Sequence, residues 1–176
     1  RVLSISGPQF PVIFGDQEFR GYNDRFRPFC PAFASPLGVK GASLKVGSDT
    51  HLSIAPDARL VNVITVTRTA VVHILDATNV TLDGGGTIYG DAERAWRYFS
   101  PVDNRMSPYF DDGGPLGVRA NTLLVENSDG VVVRDVRLHN STDWTFRMQN
   151  SSNIYVDNID IYGDSRFPNN DGFDPM

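Results

Sequence analysis

A repeated pattern of short strands and polar turns is the feature that most constrains how this chain can fold. Each copy has a polar turn of about four residues, a short strand that alternates apolar and polar residues, and a second short strand. Three copies are clear, at residues 75–89, 125–138 and 148–161, and a fainter copy lies at residues 44–60. Such periodicity indicates a repeat architecture, in which each unit buries its apolar face against its neighbours.

The spacing of these strands favours one kind of repeat fold. The strands are too short and too evenly spaced to be joined by crossover helices, which argues against a doubly wound α/β sheet. An antiparallel sandwich would show hairpin turns such as Asn-Gly, whereas the turns here contain Asn and Ser. The offset from Asn127 to Asn150 is 23 residues, close to one coil of a parallel β-helix. We therefore predict an all-β solenoid, with Asn79, Asn150 and Asn153 at turns that accept left-handed backbone angles.

Two regions fall outside the repeat. Residues 1–40 hold seven aromatic residues among several prolines, and we interpret them as an N-terminal cap over the open end of the first coil. Residues 41–176 are then the coils, interrupted at about residues 90–120 by a loop insertion that begins with a possible short helix at residues 91–98. Because insertions in solenoids often lie on the binding face, this segment is a candidate wall of a cleft.

Composition excludes some classes of protein. The formal net charge is −5, which argues against a protein that binds polyanions through a basic surface. No apolar run approaches the length of a membrane helix. The single Cys30 rules out an internal disulfide. An acidic sugar remains a possible ligand, because a local group of basic side chains can bind it in an acidic protein.

Three segments, taken in order, resemble one family. The first runs from Asn79 to Gly90 and is followed by Trp96, the second is residues 140–147, and the third is residues 168–174. They are similar to the opening coil of glycoside hydrolase family 28, to its Asn-Ser-Pro-x-Trp segment, and to its Asn-Thr-Asp-Gly-Ile/Phe-Asp motif. Asn170 stands where that motif usually has Thr. The segments lie within residues 79–174, about half of the chain, and follow the order of the family, which makes the resemblance specific.

The resemblance implies a right-handed parallel β-helix that hydrolyses α-linked galacturonans of pectin with inversion. Asp171 matches the motif aspartate that helps to activate the attacking water. Cleavage also needs a protonated carboxyl, which delivers a proton to the leaving oxygen. In the family this general acid belongs to an Asp-Asp pair about one coil later, and no such pair follows Asp171 in the sequence. We therefore expect this chain to be the N-terminal part of a longer hydrolase, truncated at its C-terminus and inactive by itself.

Further candidate residues follow from the same alignment. Asn169 is a candidate to position the substrate. Asp174 is either a carboxylate that orients the site or a turn residue. Arg147 falls where the preceding coil places a side chain near Asp174, and its forked donors suit either a uronate carboxylate or a salt bridge to Asp174. Trp144 is interpreted as packing in the wall of the helix rather than as a platform for sugars.

Other residues with suggestive chemistry are interpreted as structural. Asp111 and Asp112 form an Asp-Asp pair, but they precede Asp171 and lie in the insertion, so we interpret them as solvated loop residues. His73 and His139 lie on predicted strands and lack the partner spacing of a metal site. The sequence therefore calls for no metal and no cofactor.

Alternatives remain open. Pectate lyases also use parallel β-helices, but residues 169–174 do not resemble their acidic calcium site. A rhamnogalacturonan hydrolase or an exo-acting hydrolase of the same family is a second alternative, because Asn170 and Pro175 depart from the endo-polygalacturonase pattern. The insertion is also long enough to block one end of a cleft, as exo action requires. A non-enzymatic carbohydrate-binding β-helix, which needs only the repeat, is the third.

The resemblance also sets the expected partners and location. For the full-length protein we expect a galacturonan-type polysaccharide as substrate, no nucleic-acid or membrane partner, and a monomer. An extracellular or periplasmic location follows from the substrate class alone.

Overall fold

The computed structural model describes residues 2–5, 12–15, 18–21, 43–62, 69–93, 120–165 and 170–176, which are almost entirely strands and short turns. The strands are β1 (Val2–Ile5), β2 (Val12–Gly15), β3 (Glu18–Gly21), β4 (Leu44–Val46), β5 (Thr50–Ile54), β6 (Arg59–Val61), β7 (Thr69–Leu75), β8 (Thr78–Asp83), β9 (Thr87–Tyr89), β10 (Ala120–Glu126), β11 (Asp129–Arg134), β12 (Arg137–His139), β13 (Phe146–Gln149), β14 (Ser152–Asp157), β15 (Asp160–Tyr162) and β16 (Phe173–Pro175).

These strands stack into three parallel sheets. Sheet 1 has the order β4-β7-β10-β13-β16, sheet 2 has β1-β5-β8-β11-β14, and sheet 3 has β6-β9-β12-β15. The chain passes from sheet 1 to sheet 2 to sheet 3 and returns to sheet 1 one coil further along. The pairings within the three sheets are all parallel. This architecture confirms the predicted parallel β-helix.

The core lies between the three sheets and is built from the same strand positions in every coil. Alternate residues of each strand point inward, so that apolar side chains from successive coils stack in register. Each of these side chains is at most 2% exposed, and its burial is worth about 1.5–3 kcal/mol. The stacked residues are Val46, Ile74 and Val125 in sheet 1, Leu52, Leu82 and Val133 in sheet 2, and Leu60, Ile88 and Leu138 in sheet 3.

Left-handed residues form the bends between the sheets. Asn79, Asn150 and Asn153 have φ angles of 56°, 47° and 52°, which confirms the predicted left-handed backbone; Asn150 lies between β13 and β14, whereas Asn79 and Asn153 are the second residues of β8 and β14. Asn tolerates this region better than most residues, and here its amide also bonds to the neighbouring coil. The Asn79 side chain donates to Asp49 at 2.8 Å, and Asn153 donates to Asp129 at 2.7 Å. The bends are thus stabilised by stacking as well as by local backbone preference.

The predicted strands match the observed ones closely, with one shift. β9 ends where the predicted copy at residues 75–89 ends. β12 and β15 each lie one residue later than predicted and end one residue beyond the copies at residues 125–138 and 148–161. Asp135 and Asn158 adopt left-handed φ angles of 52° and 46°, so each bend takes up one more residue before pairing resumes. Apolar alternation alone does not reveal where such a bend ends.

Only part of the predicted cap and insertion belongs to the described residues. Within residues 1–40, β1 pairs with β5 at the edge of sheet 2, while β2 and β3 form an antiparallel hairpin that the sequence did not predict. The division into a cap at 1–40 and coils at 41–176 stays a prediction. Of the possible helix at residues 91–98, only Ala92 and Glu93 are described with helical backbone. In the described ranges no helix is long and apolar enough to cross a membrane.

We predict that Gly84→Ala destabilises the fold by roughly 2 to 4 kcal/mol, because it combines backbone strain with overpacking. Gly84 has a φ of 110°, and a Cβ there would lie 2.6 Å from Ser53 Oγ, 2.7 Å from the Ile54 nitrogen and against the Ile54 carbonyl oxygen. Urea unfolding measures the effect. Gly47→Ala is the control, since a Cβ at Gly47 meets nothing within 4 Å. Equal stability of the two variants would contradict the prediction.

Candidate active site

Arg147 and Asp174 lie side by side on the outward face of sheet 1. They are direct partners in the register of β13 and β16, with the inward-facing Phe146 and Phe173 stacked beside them. The distance from Arg147 Nε to Asp174 Oδ2 is 3.7 Å, and the two side chains are 20% and 27% exposed. This distance permits electrostatic attraction but is too long for a hydrogen bond. The sequence placed these two residues together, and the structure does so.

The guanidinium of Arg147 has few hydrogen-bond partners for a largely buried charge. It lies over the Trp144 ring, with its central carbon 4.3 Å from the ring centroid. One terminal nitrogen approaches the sulfur of Met176 at 3.0 Å, and sulfur is a weak acceptor. Arg147 Nε and Asp174 Oδ2 are buried, and neither has a hydrogen-bond partner among the residues that the structure describes. The pair therefore keeps unsatisfied donor and acceptor capacity at the edge of the exposed face.

Asp171 combines a fixed backbone with an exposed carboxylate. Its carbonyl oxygen accepts a hydrogen bond from the Thr145 nitrogen at 2.8 Å, and the next carbonyl, of Gly172, accepts from the Phe146 nitrogen at 3.1 Å. These bonds extend sheet 1 by two residues before β16 begins. The side chain is exposed, and no hydrogen bond joins its carboxylate to another residue of the described ranges. The strand thus positions Asp171 while its carboxylate stays accessible to water.

Asn170 closes the loop that leads into this strand. The side-chain amide of Asn170 donates to the Asp164 backbone carbonyl at 2.9 Å. The backbone carbonyl of Asn170 accepts from Thr145 Oγ1 at 3.4 Å. The amide fits tightly, since a Cβ on Gly163 would lie 2.7 Å from Asn170 Nδ2. Asn at this position, where the resemblance leads one to expect Thr, therefore has a structural partner. Asn169, the candidate for positioning substrate, lies outside the described residues.

A second polar pair lies on the same face and was not predicted as part of the site. His73 Nε2 on β7 contacts Glu126 Oε2 on β10 at 2.9 Å. His73, Leu124 and Arg147 occupy the same position on successive strands of sheet 1. A position-by-position alignment of the repeats would have shown this shared row. The absence of metal spacing, on which the structural interpretation of His73 rested, says nothing about the row.

The outward face of sheet 2 carries a different arrangement around Asp83. Burial would raise the pKa of Asp83, but hydrogen bonds from His51, Ser53 and Arg134, together with the positive charge of His51, outweigh it and lower the pKa below its ordinary value. The contacts are 2.8 Å from His51 Nε2 and 3.4 Å from Arg134 Nη2. This carboxylate is therefore held ionised by its neighbours on a face away from Asp171.

The described part of the chain contains no group of three or more His, Cys, Asp or Glu side chains arranged to hold a metal. Asp111 and Asp112, interpreted as solvated loop residues, lie outside that part. The described chemistry of sheet 1 is thus that of carboxylates, one guanidinium, one ammonium and one imidazole.

Comparison with known proteins identifies the family. The model of glycosyl hydrolases family 28 matches residues 33–176, which include all of sheets 1 and 3 and every site residue named above. The chain belongs to this family. A search of curated proteins finds no match.

A solved structure shares the fold. A candidate glycosyl hydrolase from Parabacteroides merdae superposes with a TM-score of 0.55 at 16% sequence identity. The match covers 70% of this chain and 55% of that chain, so this family 28 chain spans little more than half the length of that protein. At this identity the likeness supports the β-helix fold and does not extend to the activity.

We predict that Arg147 and Asp174 stabilise the fold cooperatively. A double-mutant cycle with Arg147→Gln and Asp174→Asn should give a coupling energy of about 1 kcal/mol, because the pair is partly buried. Urea unfolding of the four proteins measures it. Arg134 and Asp135 form the control pair, since they are 4.0 Å apart and each is 50% exposed, and we expect their coupling to be near zero. Equal coupling in both cycles would contradict the prediction.

We also predict an acid-dependent contribution from Asp83. Its pKa is lowered in the folded state, so its ionised form stabilises the fold above the unfolded-state pKa, and this stability is lost as the pH falls through the folded-state pKa. Asp83→Asn should cost about 1 to 2 kcal/mol at neutral pH. The difference from wild type should shrink as the pH falls from about 5 to below 3 in urea-unfolding experiments. Asp157→Asn controls for removal of one negative charge from the same sheet.

Proposed function

We propose that the protein containing this chain is an inverting hydrolase of galacturonan-type pectin polysaccharides, with its active site on the outward face of sheet 1. The observation that carries the proposal is the placement of Asp171. Its backbone is held by a hydrogen bond to the preceding coil, and its carboxylate is exposed in the same coil as Asp174, the register partner of Arg147. Membership of family 28 supports hydrolysis of glycosidic bonds as the chemistry.

Asp171 is assigned to the activation of water. In an inverting mechanism an ionised carboxylate takes a proton from a water molecule, which attacks the sugar from the face opposite the leaving group. The carboxylate must be positioned and yet open to a water molecule. The hydrogen bonds of the Asp171 and Gly172 carbonyls to β13 supply the position, and the exposed side chain supplies the access.

Arg147 is assigned to the carboxylate of a uronate unit. A guanidinium presents several donors in a fixed fork that matches a carboxylate. Trp144 holds the guanidinium from one side, while Asp174 attracts it without forming a hydrogen bond. Nε is buried toward Asp174, so the terminal nitrogens are the donors assigned to the ligand, and Asp174 orients the group that binds it. The candidate role of Asn169 in positioning substrate belongs to the same proposal.

The general acid is assigned to a residue beyond Met176. Inverting enzymes hold their two carboxyl groups about 6.5–9.5 Å apart, with one of them protonated. Asp174 already faces Arg147, so it is a poor candidate to deliver a proton. On this proposal residues 1–176 alone are inactive, and robust turnover by the purified chain would refute this assignment.

The substrate class implies the setting in which the enzyme works. A polysaccharide of cell walls does not cross membranes, so we propose an extracellular or periplasmic location. A monomer suffices, because one chain provides a continuous sheet face. The net charge of −5 accords with the absence of a nucleic-acid partner.

We predict that Asp171→Asn lowers turnover of polygalacturonate by about 10²- to 10⁴-fold, because a general base is removed while the shape of the site is kept. Release of reducing sugar by the full-length protein is the measurement. Asp157→Asn, an exposed carboxylate on sheet 2, should leave turnover unchanged. If the two variants behave alike, Asp171 is not part of the catalytic group.

We expect Arg147→Gln to lower kcat/KM on polygalacturonate by roughly 10- to 100-fold, because hydrogen bonds between charged groups are lost. The loss should be much smaller on the methyl-esterified polymer, whose units carry no negative charge. The ratio of the two kcat/KM values is the measurement. A ratio that does not change would remove Arg147 from substrate recognition.

The wild-type protein also tests the alternatives. Activity on rhamnogalacturonan but not on polygalacturonate would indicate a rhamnogalacturonan hydrolase of the same family. Release of monomer alone would indicate exo action. A protein that binds these polymers and cleaves none of them would be a carbohydrate-binding β-helix.

A further inference from the structure

One row of side chains runs along the outward face of sheet 1. Lys45, His73, Leu124, Arg147 and Asp174 are successive partners in the strand register. Neighbouring strands lie about 4.8 Å apart, so His73 stands two coils, or roughly 10 Å, from Arg147. A glycan chain that lies across the strands and contacts Arg147 would therefore also pass His73.

The His73–Glu126 pair keeps capacity to bind such a chain. Their side chains are 15% and 28% exposed, so they are partly buried and still reach the surface. The 2.9 Å contact uses one imidazole nitrogen and one carboxylate oxygen. In the described ranges no other hydrogen bond joins either side chain to the protein. One nitrogen and one oxygen thus remain, and a sugar hydroxyl can both donate and accept.

The corresponding pair on sheet 2 does not have this capacity. There His51 contacts one oxygen of Asp83, and Arg134 contacts the other. Ser53 also donates a hydrogen bond to this carboxylate. Neighbouring side chains of the protein therefore saturate the carboxylate of the sheet 2 pair, whereas Glu126 keeps one oxygen free of such contacts in the described ranges.

The pair on sheet 3 differs in exposure. His139 Nε2 lies 3.1 Å from Asp160 Oδ2, and Asp160 is 64% exposed. The His139 ring also packs edge-on against Tyr162, with centroids 5.8 Å apart. Water solvates this carboxylate freely, so a ligand would gain little by replacing it. Among the three pairs, the one on sheet 1 is both held in place and incompletely satisfied.

Leu124 occupies the row between the two polar groups. It is partly exposed and faces outward between His73 and Arg147. Sugar rings have apolar faces of C–H groups, which gain from contact with an aliphatic side chain. The row therefore offers, in order, a polar pair, an apolar contact and a guanidinium.

We propose that His73 and Glu126 form a second sugar-binding site, which contacts the glycan two coils away from the unit held by Arg147, with Leu124 packing against the ring between them. This inference rests on the proposed function, since it needs a glycan on the face of sheet 1. It adds an assignment that the sequence did not make, because His73 was interpreted as structural.

The three histidines of the chain provide the test, since one lies on each sheet. We would titrate the full chain with a hexamer of α-1,4-linked galacturonate and follow the histidine ring signals and the Trp144 indole signal by NMR. Single His→Gln variants assign the rings. The hexamer should shift the signals of Trp144 and His73 and leave those of His51 and His139 in place. The dimer, too short to span two coils beyond Arg147, should shift Trp144 far more than His73.

The outcomes separate the two claims. A shift of Trp144 without His73 on adding the hexamer would overturn the second site and leave the proposed function standing. No shift of either signal would refute the proposed function, and the second site with it. In the full-length enzyme, His73→Gln should lower kcat/KM about tenfold more for the hexamer than for the dimer. His51→Gln, the matched change on sheet 2, should affect both substrates equally.

Discussion

Parallel hydrogen bonding between successive coils decides which residues are neighbours throughout this structure. It places each strand position over the same position of the next coil, about 4.8 Å away. The core, the bends and the candidate site all follow from this stacking. Leu60, Ile88 and Leu138, for example, meet only because β6, β9 and β12 share one register. A slip of one residue would turn every inward side chain outward, so the buried stacks in turn hold the register in place.

At the bends, the strain of left-handed backbone angles is offset by side-chain hydrogen bonds between neighbouring coils. Non-glycine residues in the left-handed region are strained, and this fold uses them at every coil. Asn and Asp reduce the strain, and stacking turns their side chains into partners for one another. The bonds from Asn79 to Asp49 and from Asn158 to Asp135 are examples. Where side-chain bonding is not used, glycine serves instead, as at Gly84 and Gly130.

The same register that builds the core also builds rows on the outside. Outward positions are free of the apolar requirement, so a row can carry polar groups without weakening the core. On sheet 2 such groups are saturated by their neighbours around Asp83. On sheet 1 they are left incomplete, at Arg147, Asp174 and the pair of His73 and Glu126. Polar groups that are held in place and incompletely satisfied are candidates to meet a ligand, which is why the proposed site is assigned to this face.

The sequence by itself determined the solenoid, the strands of the clear repeats and the left-handed turns, because each depends on a local pattern that recurs. It also placed Arg147 beside Asp174, because the family motifs set residues 140–147 one coil before residues 168–174. Contacts between particular side chains on the two sides of the insertion could not be predicted from these patterns. His73 and Glu126 are 53 residues apart, and the pairing of β7 with β10 across the insertion brings them together. Only the tertiary structure decided that contact, because the repeat places the two residues on adjacent strands but does not fix how their side chains turn toward each other.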